Sequence, residues 1–124
     1  MTLPSLSAEE IRKAAKREDL IRETAAQIIK DFAEFELDIR FSGNVNDFYQ
    51  ELFGQMKIHA EDILARNGAK FFNLLYRIDV DPEEIDRYQQ QFPEGTLSEI
   101  ITELIIHREL KKVMIRDYFR QSNH

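Results

Sequence analysis

"TLSEIITELIIHREL", Thr96 to Leu110, decides how the rest of the chain is read. Thr96-x-x-Glu99 is a capping box, in which each side chain satisfies a free backbone N–H of the other residue. It marks a helix start, and the apolar pattern carries that helix to about Phe119. At about 100° per residue, Leu97, Ile100, Ile101, Leu104, Ile115, Tyr118 and Phe119 share one face. Ile106, Leu110, Val113 and Met114 fall on the opposite side. A helix apolar on two sides is either central to its bundle or partly buried against another chain. These four residues are therefore candidates for an interface as well as for the bundle centre.

Upstream of this helix the signals are also helical. The 124 residues include 4 Gly and 3 Pro, too little turn punctuation for a many-stranded sheet. Ile21, Ala25, Ile28, Phe32 and Phe35 recur at spacings of three and four, and Ser7-x-x-Glu10 is an earlier capping box. "LDIRF", Leu37 to Phe41, alternates apolar and polar. With no partner strand in sight it reads as an extended connector that packs Leu37, Ile39 and Phe41 inward. Asn44 or Asn46 is the candidate cap of a helix from about Asp47 to Arg66, and Asn67-Gly68 closes it with Gly in the left-handed position. A short apolar helix follows in "AKFFNLLYRI". The next has Asp81 as cap and Pro82 in its first turn, and Pro93 and Gly95 end it. The expectation is an all-α fold, a compact bundle of about five helices with a long, largely buried C-terminal helix. Residues 1–18 form a basic N-terminal helical extension and 19–124 a single helical domain, long enough to bury roughly two thirds of its unfolded surface.

Hydrophobic residues at 43% and charged residues at 32% fit a globular protein. The absence of cysteine excludes a disulfide, a thiolate metal site and a thiol nucleophile. The N-terminus turns charged at once, and no apolar run approaches the roughly 20 residues of a membrane span, so a cytoplasmic protein is expected. The formal charge of −6 is uneven: residues 42–95 carry 5 basic and 10 acidic groups, residues 96–124 carry 5 and 4. The acidic middle disfavours nucleic acid as a partner. Arg12, Lys13, Lys16 and Arg17, and the line Lys112, Arg116 and Arg120, leave room for local basic patches, although cations near a helix C-terminus also simply stabilise its dipole.

The chemistry on offer is sparse. Glu99, Glu103 and His107 stack at four-residue spacing, but Glu99 belongs to the capping box. Glu103 and His107, with His59 from another helix, remain as a weak metal-ligand set. The Glu-x-x-His motif of helical di-iron sites is absent at both His59 and His107, which have Met56 and Leu104 three residues before them. "DVDPEEID" lacks the Gly and the bidentate Glu of a calcium loop and is explained as an acidic helix start. No G-x-S-x-G turn or phosphate-cradling glycine loop occurs, and nothing points to an enzyme or to a cofactor. Arg108 projects between Leu104 and Ile115 on the apolar face, where a lone charge costs several kcal/mol. It therefore requires a carboxylate partner or a backbone acceptor, or a place where the face opens to solvent; it is either a packed ion pair fixing two helices or an anion-binding arginine in a groove.

The stretches "AKFFNLLYRIDVDPEEI" and "LSEIITELIIHRELKKVMIRDYF" resemble a group of small uncharacterised α-helical bacterial proteins over about residues 19–120. The resemblance implies an all-α fold and brings no activity or functional residue with it. The leading expectation is a non-enzymatic helical protein-interaction module that associates with itself or with another protein. The alternative is a small-ligand- or metal-binding helical protein using Glu103, His107 and Arg108.

Overall fold

The computed structural model describes residues 17–122. The Ser7 capping box and the basic residues Arg12, Lys13 and Lys16 lie outside that range. Five α-helices follow one another: α1 (Glu18–Ala33), α2 (Phe48–Arg66), α3 (Gly68–Ile78), α4 (Pro82–Gln91) and α5 (Leu97–Ser122). A 3₁₀ turn, Val45–Asp47, leads into α2. No strand occurs among the described residues. The fold is an all-α bundle.

α5 is the axis of the bundle, for it touches each of the other four helices. Its capping box is formed: the Thr96 N–H donates to Glu99 Oε1 at 3.2 Å and the Glu99 N–H to Thr96 Oγ1 at 3.2 Å. Thr96 also holds the Glu99 carboxyl below the usual carboxylate range by hydrogen bonding to its charged form. Both apolar sides of α5 are covered by the chain itself along its middle, while Leu97 and Tyr118 towards its two ends stay exposed. Ile101 and Ile105 join Ile28, Phe32, Leu52 and Leu74 in the main core, and Leu110 and Val113 pack with Leu20 of α1 in a second cluster. Each such buried aliphatic side chain contributes about 1.5–3 kcal/mol.

The joints are economical. Asn67 was expected only to end α2, with Gly68 left-handed after it. Instead Asn67 (φ −154°) ends α2 and at once caps α3, its side chain accepting the Lys70 N–H at 3.1 Å. Gly68 is thus the first residue of α3 rather than a terminator. The left-handed positions belong to Glu36 (φ 63°), Asp79 (φ 71°) and Gly43 (φ 93°). After α1 and α3 the chain closes two matching Schellman turns, Leu37 N–H to Phe32 C=O and Val80 N–H to Leu75 C=O, each 3.0 Å. A side chain in this conformation costs roughly 1–2 kcal/mol, which the capping bonds and the apolar contacts of Leu37 and Val80 offset.

Residues 37–41 form an extended connector, with Ile39 buried and Leu37 and Phe41 partly buried against the core. Its outward backbone is satisfied by side chains of α2. The Gln55 amide accepts the Arg40 N–H at 2.8 Å and donates to the Arg40 carbonyl at 2.7 Å. His59 Nε2 lies 2.8 Å from the Asp38 carbonyl oxygen, and Glu51 accepts the Ser42 N–H at 2.9 Å. Glu51, Gln55 and His59 are four apart on the helix, about 6 Å per step, and they meet residues 42, 40 and 38, two apart at about 6.6 Å per step. The two periods match closely enough for a helix to act as the partner of an extended strand.

Candidate functional site

α4 crosses α5 beside an open depression of about 500 Å³, lined by Glu84, Arg87, Tyr88 and Gln91 from α4 and by Leu104, His107, Arg108 and Lys111 from α5. Four basic side chains converge there in a chain of net charge −6. The helices set this up through their periods: Glu84, Arg87, Tyr88 and Gln91 are three and four apart, as are Leu104, His107, Arg108 and Lys111. Arg87 and Lys111 have no carboxylate partner among the described residues. Arg108 reaches Asp79 at the end of α3, Nη2 to Oδ2 2.6 Å, so a carboxylate partner exists and joins two helices. Its Nε–H is buried and meets no acceptor.

A second depression of about 370 Å³ adjoins the first and shares Tyr88 with it. Its walls are mostly apolar: Phe53, Tyr88, Phe92 and Ile100, with Gly95, Glu99 and Glu103 at its edge. Between the two lies a hydrogen-bonded chain. The Tyr49 hydroxyl donates to Glu103 Oε2, and His107 Nε2 lies 3.2 Å from Glu103 Oε1. His107, and then Tyr49, hold the Glu103 carboxyl below its usual range against the opposing effect of burial. Burial, and then the Glu103 charge, raise the Tyr49 and Tyr88 phenols. Glu103 is therefore a fixed negative charge at the junction of the two depressions.

The structure brings Glu103, His107 and Arg108 into one neighbourhood and leaves His59 out of it. His59 is engaged with Asp38 and lies with its ring 6.4 Å from that of Phe32. Among the described residues no group of three His, Asp or Glu side chains is placed to hold a metal ion. The residues offered as an interface lie inside: Ile106, Leu110 and Val113 are buried and Met114 partly so. Leu20 of α1 packs on Leu110 and Val113, so of the two readings of this side, bundle centre or interface, the packing within the chain matches the bundle centre. The basic line near the end of α5 is spent on structural bonds: Lys112 to Glu109 at 3.2 Å, Arg116 to Gln27 at 2.9 Å and Arg120 to Glu23 at 3.0 Å. The acidic run divides between two caps, with Asp79 ending α3 and Asp81 accepting the Glu83 N–H at 2.9 Å.

One feature escaped the sequence reading. Asp31 of α1 and Glu109 of α5 are 1% and 0% exposed, two carboxyl groups in contact inside the bundle. Burial, then the hydrogen bond to Asp31 and its charge, push the Glu109 carboxyl up to about 8. Asp31 accepts from Gln27 Nε2 at 2.9 Å and lies 4.0 Å from Arg77, while Lys112 donates to Glu109 Oε1. Glu109 Oε2 has no other hydrogen-bond partner, which fits a protonated carboxyl donating to Asp31. The wheel did hold a signal: Glu109 follows Ile105 and precedes Val113 by four, squarely in the buried sector.

This is a helical bundle with a mixed cationic and aromatic groove at the crossing of its last two helices. No family model matches the chain, and neither a curated protein nor a solved structure does.

Proposed function

We propose that the protein is a binding rather than a catalytic protein, which takes a small anion in the groove between α4 and α5. One observation carries the reading: Arg87 and Lys111, without carboxylate partners among the described residues, converge with Arg108 and His107 on one depression of an acidic chain. Cations gathered against net charge and left without local partners favour a counter-ion from outside. A cysteine-free chain without a helix, among the described residues, long and apolar enough to cross a membrane fits a cytoplasmic setting. Arg87 is exposed and Lys111 partly so, so each of their contacts contributes at most about 1 kcal/mol and a bare anion binds in the millimolar range.

The test is an amide chemical-shift titration with sodium acetate and with inorganic phosphate, at constant ionic strength. Perturbations are expected at Arg87, His107, Arg108 and Lys111, and they disappear in Arg87→Ala/Lys111→Ala. Shifts spread over the surface, or unchanged in that double variant, overturn the reading.

A second reading, a helical protein-contact module, draws on a different surface. Phe72 and Tyr76, four apart on α3, are 63% and 88% exposed, a pair of aromatics on one outward face. Association with a second copy or with another protein runs through this face rather than through Ile106 and Leu110. Sedimentation over a range of concentrations checks it. A self-associated mass that falls to the monomer in Phe72→Ser/Tyr76→Ser supports the module, and a monomer at all concentrations removes self-association.

A further inference from the structure

The neighbour of the cationic end indicates what kind of anion fits, given the reading that the α4/α5 groove binds one. We propose that the ligand is an apolar-tailed monocarboxylate. Its carboxylate lies among Arg87, Arg108 and Lys111, and its hydrocarbon runs past Tyr88 against Phe53, Phe92 and Ile100.

Three observations lead there. Continuity is the first. Tyr88 lines both depressions, and Arg108 and Ile100 are eight residues apart on α5, about 12 Å at the rise of a helix, the reach of a medium-length chain. Charge is the second. Of the three permanent cations, Arg108 already pairs with Asp79, and Glu84 borders the same depression, which leaves an excess near one unit. Glu103, held ionised at the junction, repels a second negative charge there. A monoanion with charge at one end only satisfies both, and a phosphate dianion does not. The walls are the third. Phe92 packs on Tyr88 at a tilt of 35° with ring centroids 4.8 Å apart, yet it stays 44% exposed beside the depression. Tyr49 and Phe53 stack at 5.4 Å and stiffen the far wall. An apolar chain laid along these rings removes their remaining exposed surface from water.

The experiment is a series of titrations with acetate, butyrate, hexanoate and octanoate below micelle formation, read by amide shifts. Affinity is expected to rise about twofold per methylene, as for a half-covered chain, with shifts spreading from Lys111 towards Ile100. Phe92→Ala lowers the gain per methylene, whereas Arg87→Ala/Lys111→Ala weakens every member. Equal affinity along the series overturns the tail and leaves the anion groove standing. No groove shift with acetate or octanoate overturns both. Octyl phosphate binding tenfold tighter than octanoate overturns the monocarboxylate. A chain-length gain undiminished in Phe92→Ala, or one that maps to Phe72 and Tyr76, places the hydrocarbon elsewhere and overturns the proposal.

Discussion

Replacing Glu109 by Gln raises stability at pH 8 and above by several kcal/mol and flattens its decline between about pH 5 and 8. The cause is the proton that Glu109 keeps inside the bundle. Its ordinary value is 4.5, and burial beside Asp31 raises it to about 8 in the folded protein. Below 4.5 the group is protonated in both states, and the contact with Asp31 is intact. Between 4.5 and 8 the unfolded chain releases the proton while the folded chain retains it, so stability falls as pH rises, by up to about 1.4 kcal/mol per unit. Above 8 the loss is complete, because the folded protein then holds two carboxylates in contact. A glutamine keeps the shape: its amide N–H donates to Asp31 and its carbonyl accepts from Lys112. Urea unfolding followed by circular dichroism from pH 5 to 9 checks this. Parallel curves for the two proteins would show that Glu109 holds no extra proton in the folded state.

The variant Ile106→Asp does not fold at room temperature. On the sequence pattern alone Ile106 stood on a side of α5 that was a candidate for cover by a second chain, and in that case a charge there gives a folded monomer. The structure has it 2% exposed, packed into the main core. A carboxylate placed there has no partner, and its burial costs more than about 4 kcal/mol, a large share of the 5–15 kcal/mol that holds a domain together. Leu110→Asp, in the cluster with Leu20 and Val113, follows the same course. Far-ultraviolet circular dichroism and a thermal melt decide the matter. A native melt in either variant would return this side of α5 to the surface.

These two predictions mark where the sequence was transparent and where it was not. Element type was legible across residues 17–122, because capping residues and a 3.6-residue period are local properties. Thr96 and Glu99 form the expected box, and Asp81 caps the expected helix. Arg108 found a carboxylate, one of the outcomes that the cost of a lone charge on an apolar face left open. What covers each face was not legible, since that depends on how helices far apart in sequence meet. The wheel placed Ile106 and Leu110 on a second apolar side, but only the docking of α1 identifies that side as interior. The Asn67 joint was misread because the same residue can end one helix and cap the next. The groove was half visible: His107 and Arg108 stood out, while Arg87 and Tyr88 gained meaning only when α4 came to lie across α5. Asp31 and Glu109 were missed because an acid within an apolar sector finds its partner only when α1 docks on α5 and brings the two carboxyl groups together.

The extended connector bears on a different hazard. A stretch with inward Leu37, Ile39 and Phe41 is the sort of segment that recruits a like segment from another molecule when its backbone edge is open. Here the row of Glu51, Gln55 and His59 occupies that edge, with the Gln55 amide bonding both the N–H and the C=O of Arg40. A neighbour that tries to add as a strand must first displace side chains anchored on a helix whose own backbone bonds are already made. The register is pinned as well, since a shift by one residue would turn the inward trio to water and the charged Asp38 and Arg40 into the core. α2 thus works as a guard against strand-by-strand association, built from three polar side chains rather than from a second strand.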